Sequence, residues 1–471
     1  MFKKIVIATD SFKGSLSSME AGNAIACGVR KALPESEVIV VPVADGGEGT
    51  TEALCGALSG EILRVKVRGP LGESVVTEYA IAEGGTAIIE MSQASGLPLI
   101  SKEERNPLLT STFGTGEMIL DAIRRGCRKF LVGIGGSATN DGGTGMLSAL
   151  GFRFLDKEGR PLEGCGASLG KIAEIDCSGV AEELADCRFT VACDVDTPFC
   201  GPEGATRVFA PQKGADPEAV EELEKGMRSF ADLVERSKGI SLHSMPGSGA
   251  AGGLGGAFSA FLGAELKPGV DMVLDAVDFS KKIEGASLVI TGEGKTDSQT
   301  LKGKTPAGVL AYASRIDIPV VVLCGKVEDA ALLEESDFAA VFPIVPGPCS
   351  LEEAMKEDKA RENLRRTAFN VAGIFKISRN EQRHCISHSS CYRNHNDNQE
   401  NISCLQPYGG STSGRSALRL GNDRNGGGDD FGHKGHIPGY SSHSCGRRTF
   451  GSSHQNRSGG LDILKHSPQT R

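Results

Sequence analysis

The sequence of 471 residues predicts an α/β protein built as two domains. Three observations carry that reading. Short β-branched runs alternate with helical patterns near both ends of the first 376 residues, which is the signature of a parallel, doubly wound sheet. Between them, residues 61–91 instead alternate apolar and polar side chains around a Gly69-Pro70-Leu71-Gly72 turn, a better match to antiparallel pairing. The length allows two or three domains at about 150 residues each. Residues 1–65 and 275–376 are therefore expected to form one discontinuous α/β domain, with residues 66–274 inserted as a second.

The elements follow in order. Residues 3–9, KKIVIAT, read as the first strand, followed by a loop through residues 11–14 and a helix over 17–33 capped by Ser15 or Ser17. EVIVVPV is the next strand, ending at Asp45-Gly46-Gly47, after which residues 48–58 have a helical pattern. In the middle, 114–125 is helical, KFLVGIGG is a strand, and shorter elements are expected at 147–155 and 189–194. The late alternation comprises strands at 286–292, 318–325 and 338–345, a helix from Pro306, and an amphipathic helix over 351–375.

Composition breaks near residue 376. Residues 377–471 hold no Val, no Met and a single Ala, yet eight of the nine histidines. Their few apolar residues are scattered, so this tail is expected to be disordered, with the look of an out-of-frame translation. The tail nets +5 and the whole chain −9, which leaves the body at −14. An acidic body argues against a nucleic-acid surface, where phosphate neutralisation supplies the affinity. No apolar run approaches the roughly 20 residues of a membrane span, and MFKKIVIATD is no secretory h-region. Ten body cysteines without any CxxC suit free thiols in a reducing cytoplasm.

Anionic ligands must then be met by local lysines and backbone N–H groups. Gly133, Gly135 and Ala138 make a GxGxxA directly after a strand, enclosing Gly136 and Ser137; Gly247, Gly249 and Gly252 make a GxGxxG. Either could cradle phosphate, form plain tight turns or serve a dinucleotide, because the pattern alone is weak. Neither GKT triplet completes a Walker A box, but Lys295, Lys302 and Lys304 sit near Glu293 and Asp297 at a strand end. Ligands bind at such ends in open α/β sheets. Asp45-Gly-Gly and Asp141-Gly-Gly, the latter preceded by Asn140, look alike and could equally cap turns. Asp194 and Asp196 end another strand, where two carboxylates on one face would suit Mg²⁺. His243 is alone in the body and no GxSxG elbow is present, so acid–base work falls to Asp, Glu or Lys.

The stretches IATDSFKGSLSS, PVADGGEGT, GIGGSATNDGGTGML, ACDVDTPFCGPEGA, FAPQKGA, GSGAAGGLGG and ITGEGKTDSQTLKGKTP together resemble the bacterial glycerate kinase family, in order from about residue 3 to 376. The resemblance implies a flavodoxin-like domain carrying an inserted second domain. It also implies ATP-dependent phosphorylation of D-glycerate, with 2-phosphoglycerate as product and 3-phosphoglycerate as the alternative. On this reading Lys13 contacts the transferring phosphate or the glycerate carboxylate, and Asp194 or Asp45 orients the attacking hydroxyl. The loops holding Gly133, Gly135, Gly136, Ser137, Asn140 and Asp141, and Gly247, Gly249 and Gly252, cradle ATP together with Lys295. Asp196 or Glu293 holds Mg²⁺. A homo-oligomer is compatible with this reading. The rival readings are a nicotinamide-dependent dehydrogenase and a nucleotide-binding protein without turnover.

Overall fold

The structure, a computed structural model, describes residues 4–298, 300, 301, 303–328 and 335–391. Its first sheet is wholly parallel and holds β1 (Lys4–Thr9), β2 (Glu37–Val40), β11 (Leu288–Thr296), β12 (Val320–Val327) and β13 (Ala340–Pro343), in the order β13-β12-β11-β1-β2. Counted within this sheet, that is the 2-1-3-4-5 order of flavodoxin-like folds. Strand alternation sorts β1 between two cores. Ile5 and Ile7 pack with Ile25, Val29 and Leu364, whereas Val6 and Ala8 pack with Val289, Val309 and Val273. Of the two candidate caps, Ser17 starts the first helix, Ser18–Ala32, and closes a capping box with Glu20.

The second sheet mixes directions. It holds β3 (Glu61–Arg68), β4 (Ser74–Ala82), β5 (Thr86–Glu90), β6 (Lys129–Gly133), β9 (Arg188–Ala192) and β10 (Glu265–Lys267), in the order β10-β9-β6-β5-β4-β3. The pairs β3–β4 and β4–β5 are antiparallel, as the alternation over 61–91 predicts, and the remaining pairs are parallel. A small antiparallel pair, β7 (Arg153–Leu155) with β8 (Glu174–Asp176), stands apart. Helices Phe113–Arg124, Pro217–Lys238 and Ala250–Leu262 bury their apolar faces in the core beside this sheet.

Three elements differ from expectation. Strand β11 runs four residues past Gly292, because its pairing with β12 continues to Thr296↔Val327. The stretch 147–155 divides into a helix, Thr144–Ala149, and β7. The last helical stretch breaks at Lys356 into Leu351–Met355 and Glu357–Cys391. Residues 377–391 continue that last helix, and the rest of the tail expected to be disordered lies outside the described residues.

Leu364 is fully buried where the last helix meets β1 and the first helix. Leu364→Ala is expected to cost about 2–5 kcal/mol through lost burial and a residual cavity. Urea unfolding should show a lower midpoint with the same slope; a cost under about 1 kcal/mol would contradict this packing.

Candidate active site

The strand order reverses between β1 and β11, and ligands of open parallel sheets bind outside the carboxyl ends at that point. A cavity of about 330 Å³ opens there. The loop after β1 supplies Asp10, Ser11, Phe12 and Lys13; β11 supplies Glu293, Gly294 and Lys295; Lys304 and Lys326 add charge. Its remaining wall is apolar, from Ile344, Val345, Leu351 and Met355.

Two carboxylates here are held against their charge. Burial, helped by the charge of Asp45, pushes Asp10 up to about 6 even though Ser11 N and Thr305 Oγ1 donate to it at 2.6 and 2.8 Å. Burial likewise lifts Glu293 to about 7, with Thr300 Oγ1 donating at 2.5 Å and Lys304 Nζ 3.9 Å away. Lys295 lies between Glu328 at 2.7 Å and Asp297 at 3.3 Å, and these partners hold its ammonium above the usual lysine range. Lys302 lies outside the described residues.

A second cavity, of about 340 Å³, lies at the carboxyl ends of the parallel strands β6 and β9. Gly135, Gly136 and Ser137 line it from the loop after β6, Cys193 and Asp194 from the loop after β9, and Gln212, Lys213 and Ala251 from elsewhere in that half. Lys13 and Asp45 line both cavities, with Lys13 Nζ 3.9 Å from Asp45 Oδ2. The Asp45 side chain turns back to accept from Gly47 N at 3.1 Å. Asp194 accepts from Gly269 N at 2.8 Å, and burial together with nearby Asp45 raises its carboxyl above the usual range.

The structure therefore brings together Lys13, Asp45, Asp194, Gly135, Gly136, Ser137, Glu293 and Lys295 around two adjoining chambers. It does not bring in the rest. Strand β9 ends at Ala192, so Asp194 and Asp196 lie in a loop and alternation does not pair them; Asp196 is exposed and lines neither cavity. Asp141 is fully buried and accepts from Thr112 N, Thr112 Oγ1, Gly143 N and Gly145 N, which makes it a structural knot. Asn140 is buried too, donating from Nδ2 to Thr206 Oγ1.

Glycines 133, 247, 249 and 252 also line neither cavity. A Cβ on Gly249 would lie 2.1 Å from Pro198 O, on Gly252 2.1 Å from Thr139 O, and on Gly133 2.6 Å from Gly46 O. Close backbone approach requires glycine at these three positions, whereas at Gly247 the requirement is its φ of 75°. The GxGxxG stretch turns left-handed through Ala251, Gly252 and Gly253 (φ 53°, 67° and 96°) before its helix continues. Ala251, a non-glycine residue in that region, sits on the chamber wall.

Sequence reading missed Asp10, Thr305 and Lys213. Asp10 closes β1 much as Asp45 follows β2, a parallel open to inspection. Lys213 stands in FAPQKGA with nothing to reveal its burial. His243 lies away from both chambers, Nδ1 3.3 Å from Cys200 Sγ and Nε2 2.9 Å from Asp232. That triad-like group is no nucleophile, because burial and the nearby Glu224 push the thiol up to about 11.

Asp10 gives a stability test. Its native carboxyl, near 6 against 3.8 as the ordinary value, holds its proton longer than the unfolded chain does. Stability therefore falls as pH rises through that window, and the full cost is present above it. Asparagine can still accept from Ser11 N and donate to Thr305 Oγ1. Asp10→Asn is expected to raise the melting temperature at pH 8 and to bring no gain at pH 3.5; a loss at pH 8 would contradict the burial account.

Comparison with known proteins now bears on this geometry. The model of the glycerate kinase family matches residues 5–376. The glycerate kinase of Bacillus subtilis (strain 168) is 46% identical over 378 residues, covering 80% of this chain and 98% of that protein. The glycerate 2-kinase of Escherichia coli (strain K12) is 43% identical over 376 residues, covering 79% and 98%. A solved Salmonella typhimurium LT2 chain, assigned as glycerate kinase 2, superposes with a TM-score of 0.75 at 44% identity and covers 81% of this chain and all of that one. Because the match spans both sheets and both chambers, the chain belongs to the glycerate kinase family.

Proposed function

We propose that the chain transfers the γ-phosphoryl group of ATP to the 2-hydroxyl of D-glycerate, giving 2-phosphoglycerate and ADP. One observation carries the reading: Lys13 and Asp45, a cation and a carboxylate 3.9 Å apart, sit where the two chambers meet. The first chamber suits the nucleotide. Ile344, Val345, Leu351 and Met355 offer an apolar wall to a base, and Lys13, Lys295, Lys304 and Lys326 offer charge to phosphates. The second suits glycerate, because Gly135, Gly136, Ser137 and Asp194 set polar groups along one side of it; the Gly135–Ser137 turn, expected to cradle ATP, then faces the acid instead.

Asp45 then faces the attacking hydroxyl and takes its proton as the new O–P bond forms and the bond to the β-phosphate oxygen breaks. Lys13 neutralises charge on the phosphoryl oxygens. Phosphoryl transfer asks for little beyond positioning and such neutralisation. Asp194, accepting from Gly269 N, is a further carboxylate on the second chamber and can orient a substrate hydroxyl. Among the described residues no three His, Cys, Asp or Glu side chains form a metal cage. That fits Mg²⁺, which takes one or two carboxylates and completes its shell with phosphate oxygens and water. Glu293, buried on the wall of the first chamber with Lys304 Nζ 3.9 Å away, would hold it; the ion would neutralise phosphate charge. Asp196, exposed and lining neither chamber, is not given that role.

The inserted domain is better started at Glu61 than at residue 66, because β3 pairs along its whole length within the second sheet, and one core cluster runs from Val67 through Ala264. No described helix is long and apolar enough to cross a membrane. The ten cysteines from Cys27 to Cys349 are free thiols, which suits a reducing compartment.

Incubation with ATP, Mg²⁺ and D-glycerate should yield 2-phosphoglycerate by phosphorus NMR; no transfer, or transfer to the 3-hydroxyl, would contradict the proposal. Asp45→Asn should lower kcat by about 10²–10⁴ without changing the fold. Lys13→Ala should lower turnover by at least about 10², with near-normal turnover removing Lys13 from the site.

A further inference from the structure

Lys213 has a place that the reaction as described does not use. It is 2% exposed, yet its side chain reaches the wall of the second chamber. Its ammonium donates to Ser137 Oγ and to Thr139 O, each at 2.7 Å. Among the described residues no carboxylate forms an ion pair with it. The acid whose charge acts on it, Asp141, already accepts from four donors of its own. Burial pulls the ammonium down to about 7, as expected for a cation lacking a contact partner. A buried charge of this kind is costly unless an anion arrives to pair with it.

Ser137 passes that charge to the cavity. Since its oxygen accepts from Lys213, its own proton must point elsewhere, and among the described residues no acceptor takes it. Gly135 and Gly136 stand beside it on the same wall, with Gly136 at φ 74°, where a side chain would strain the turn. Among the described residues their backbone N–H groups donate to no carbonyl or side chain. One hydroxyl proton and two free amides thus line a pocket in front of a buried ammonium. That set of donors matches a carboxylate.

We infer that Ser137 binds the carboxylate of glycerate directly and that Lys213 acts through it as a positioning residue, so that this pair selects a hydroxy acid over a neutral polyol or amide. The inference rests on the functional reading above and assigns its acceptor specificity.

The test compares D-glycerate with its neutral amide, D-glyceramide, in the full-length enzyme. Ser137→Ala and Lys213→Met should each raise the KM for D-glycerate about tenfold or more, as expected for losing a charge-assisted hydrogen bond, while the KM for ATP changes less than about twofold. Both should cut the preference for D-glycerate over D-glyceramide by at least about tenfold, and Ser137→Thr, which keeps the hydroxyl, should restore it. Should Lys213→Met fold poorly, Ser137→Ala and the binding of D-glycerate by calorimetry without ATP decide the matter. Equal losses for acid and amide, or a rise in the KM for ATP instead, would overturn this inference alone. A wild-type enzyme that phosphorylates no glycerate would overturn the functional reading and this inference with it.

Discussion

Asp45 can reach both chambers only because backbone replaces side chains on every side of its loop. A Cβ on Gly269 would lie 2.0 Å from Asp45 O, and one on Gly46 would lie 2.6 Å from Gly269 Cα and 2.7 Å from Ala192 Cβ. On Gly133 it would meet Gly46 O at 2.6 Å. Gly46 also holds φ at 86°, a conformation that side chains rarely adopt. Three glycines from three separate parts of the chain therefore meet around one loop. Through them the carboxyl ends of β6 and β9 close up against the loop that follows β2. The pairing of β1 with β2 brings Lys13 to Asp45, and that packing sets the two against the second chamber.

The junction is also where the chain accepts electrostatic cost. Asp10, Glu293 and Asp194 are all pushed above the ordinary carboxylate range, chiefly by burial, and Lys213 is pushed below its own by the same cause. Asp176 and Asp156, away from the junction, shift the other way: hydrogen bonds from Ser178, with Arg153, hold the first below that range, and the backbone and guanidinium of Arg160 hold the second. Groups left uncompensated in this way cluster at functional sites, because phosphate, metal or substrate completes them. The acidic body makes these lysines the local exception in an otherwise repulsive field, which limits where an anion can settle.

Much of the fold was legible because periodicity is a local property. The β-branched runs at both ends, the alternation over 61–91 and the Ser17 cap needed no tertiary knowledge. The long helix Pro217–Lys238 had its signals as well, Asp216 and Pro217 at the start and Gly239 at the end, though the strand-centred reading passed over it. The site was only half legible. Lys13, Asp45, Asp194 and Gly135 through Ser137 could be picked out because loops after strands are where ligands bind, and all of them line a chamber. Asp141 and the 247–252 glycines looked the same by letter, yet they turned inward, because a glycine needed for close backbone approach is indistinguishable in sequence from one that cradles phosphate. Lys213 was invisible for the converse reason: a lysine is read as surface, and only the packing around Ser137 and Thr139 buries it.

The two chambers draw on separate elements and share only Lys13 and Asp45. Acceptor recognition by Ser137 and Lys213 hangs from β6 and the 211–214 turn, while the apolar wall and lysines of the other chamber hang from β11, β12 and the segment after β13. Substitutions on the two walls lack common partners, so their effects should combine additively. Around Gly46, Gly133 and Gly269 the opposite holds, since each fills the space another would need. Specificity for the acid and for the nucleotide can thus vary independently, whereas the loop that joins them tolerates change only as a unit.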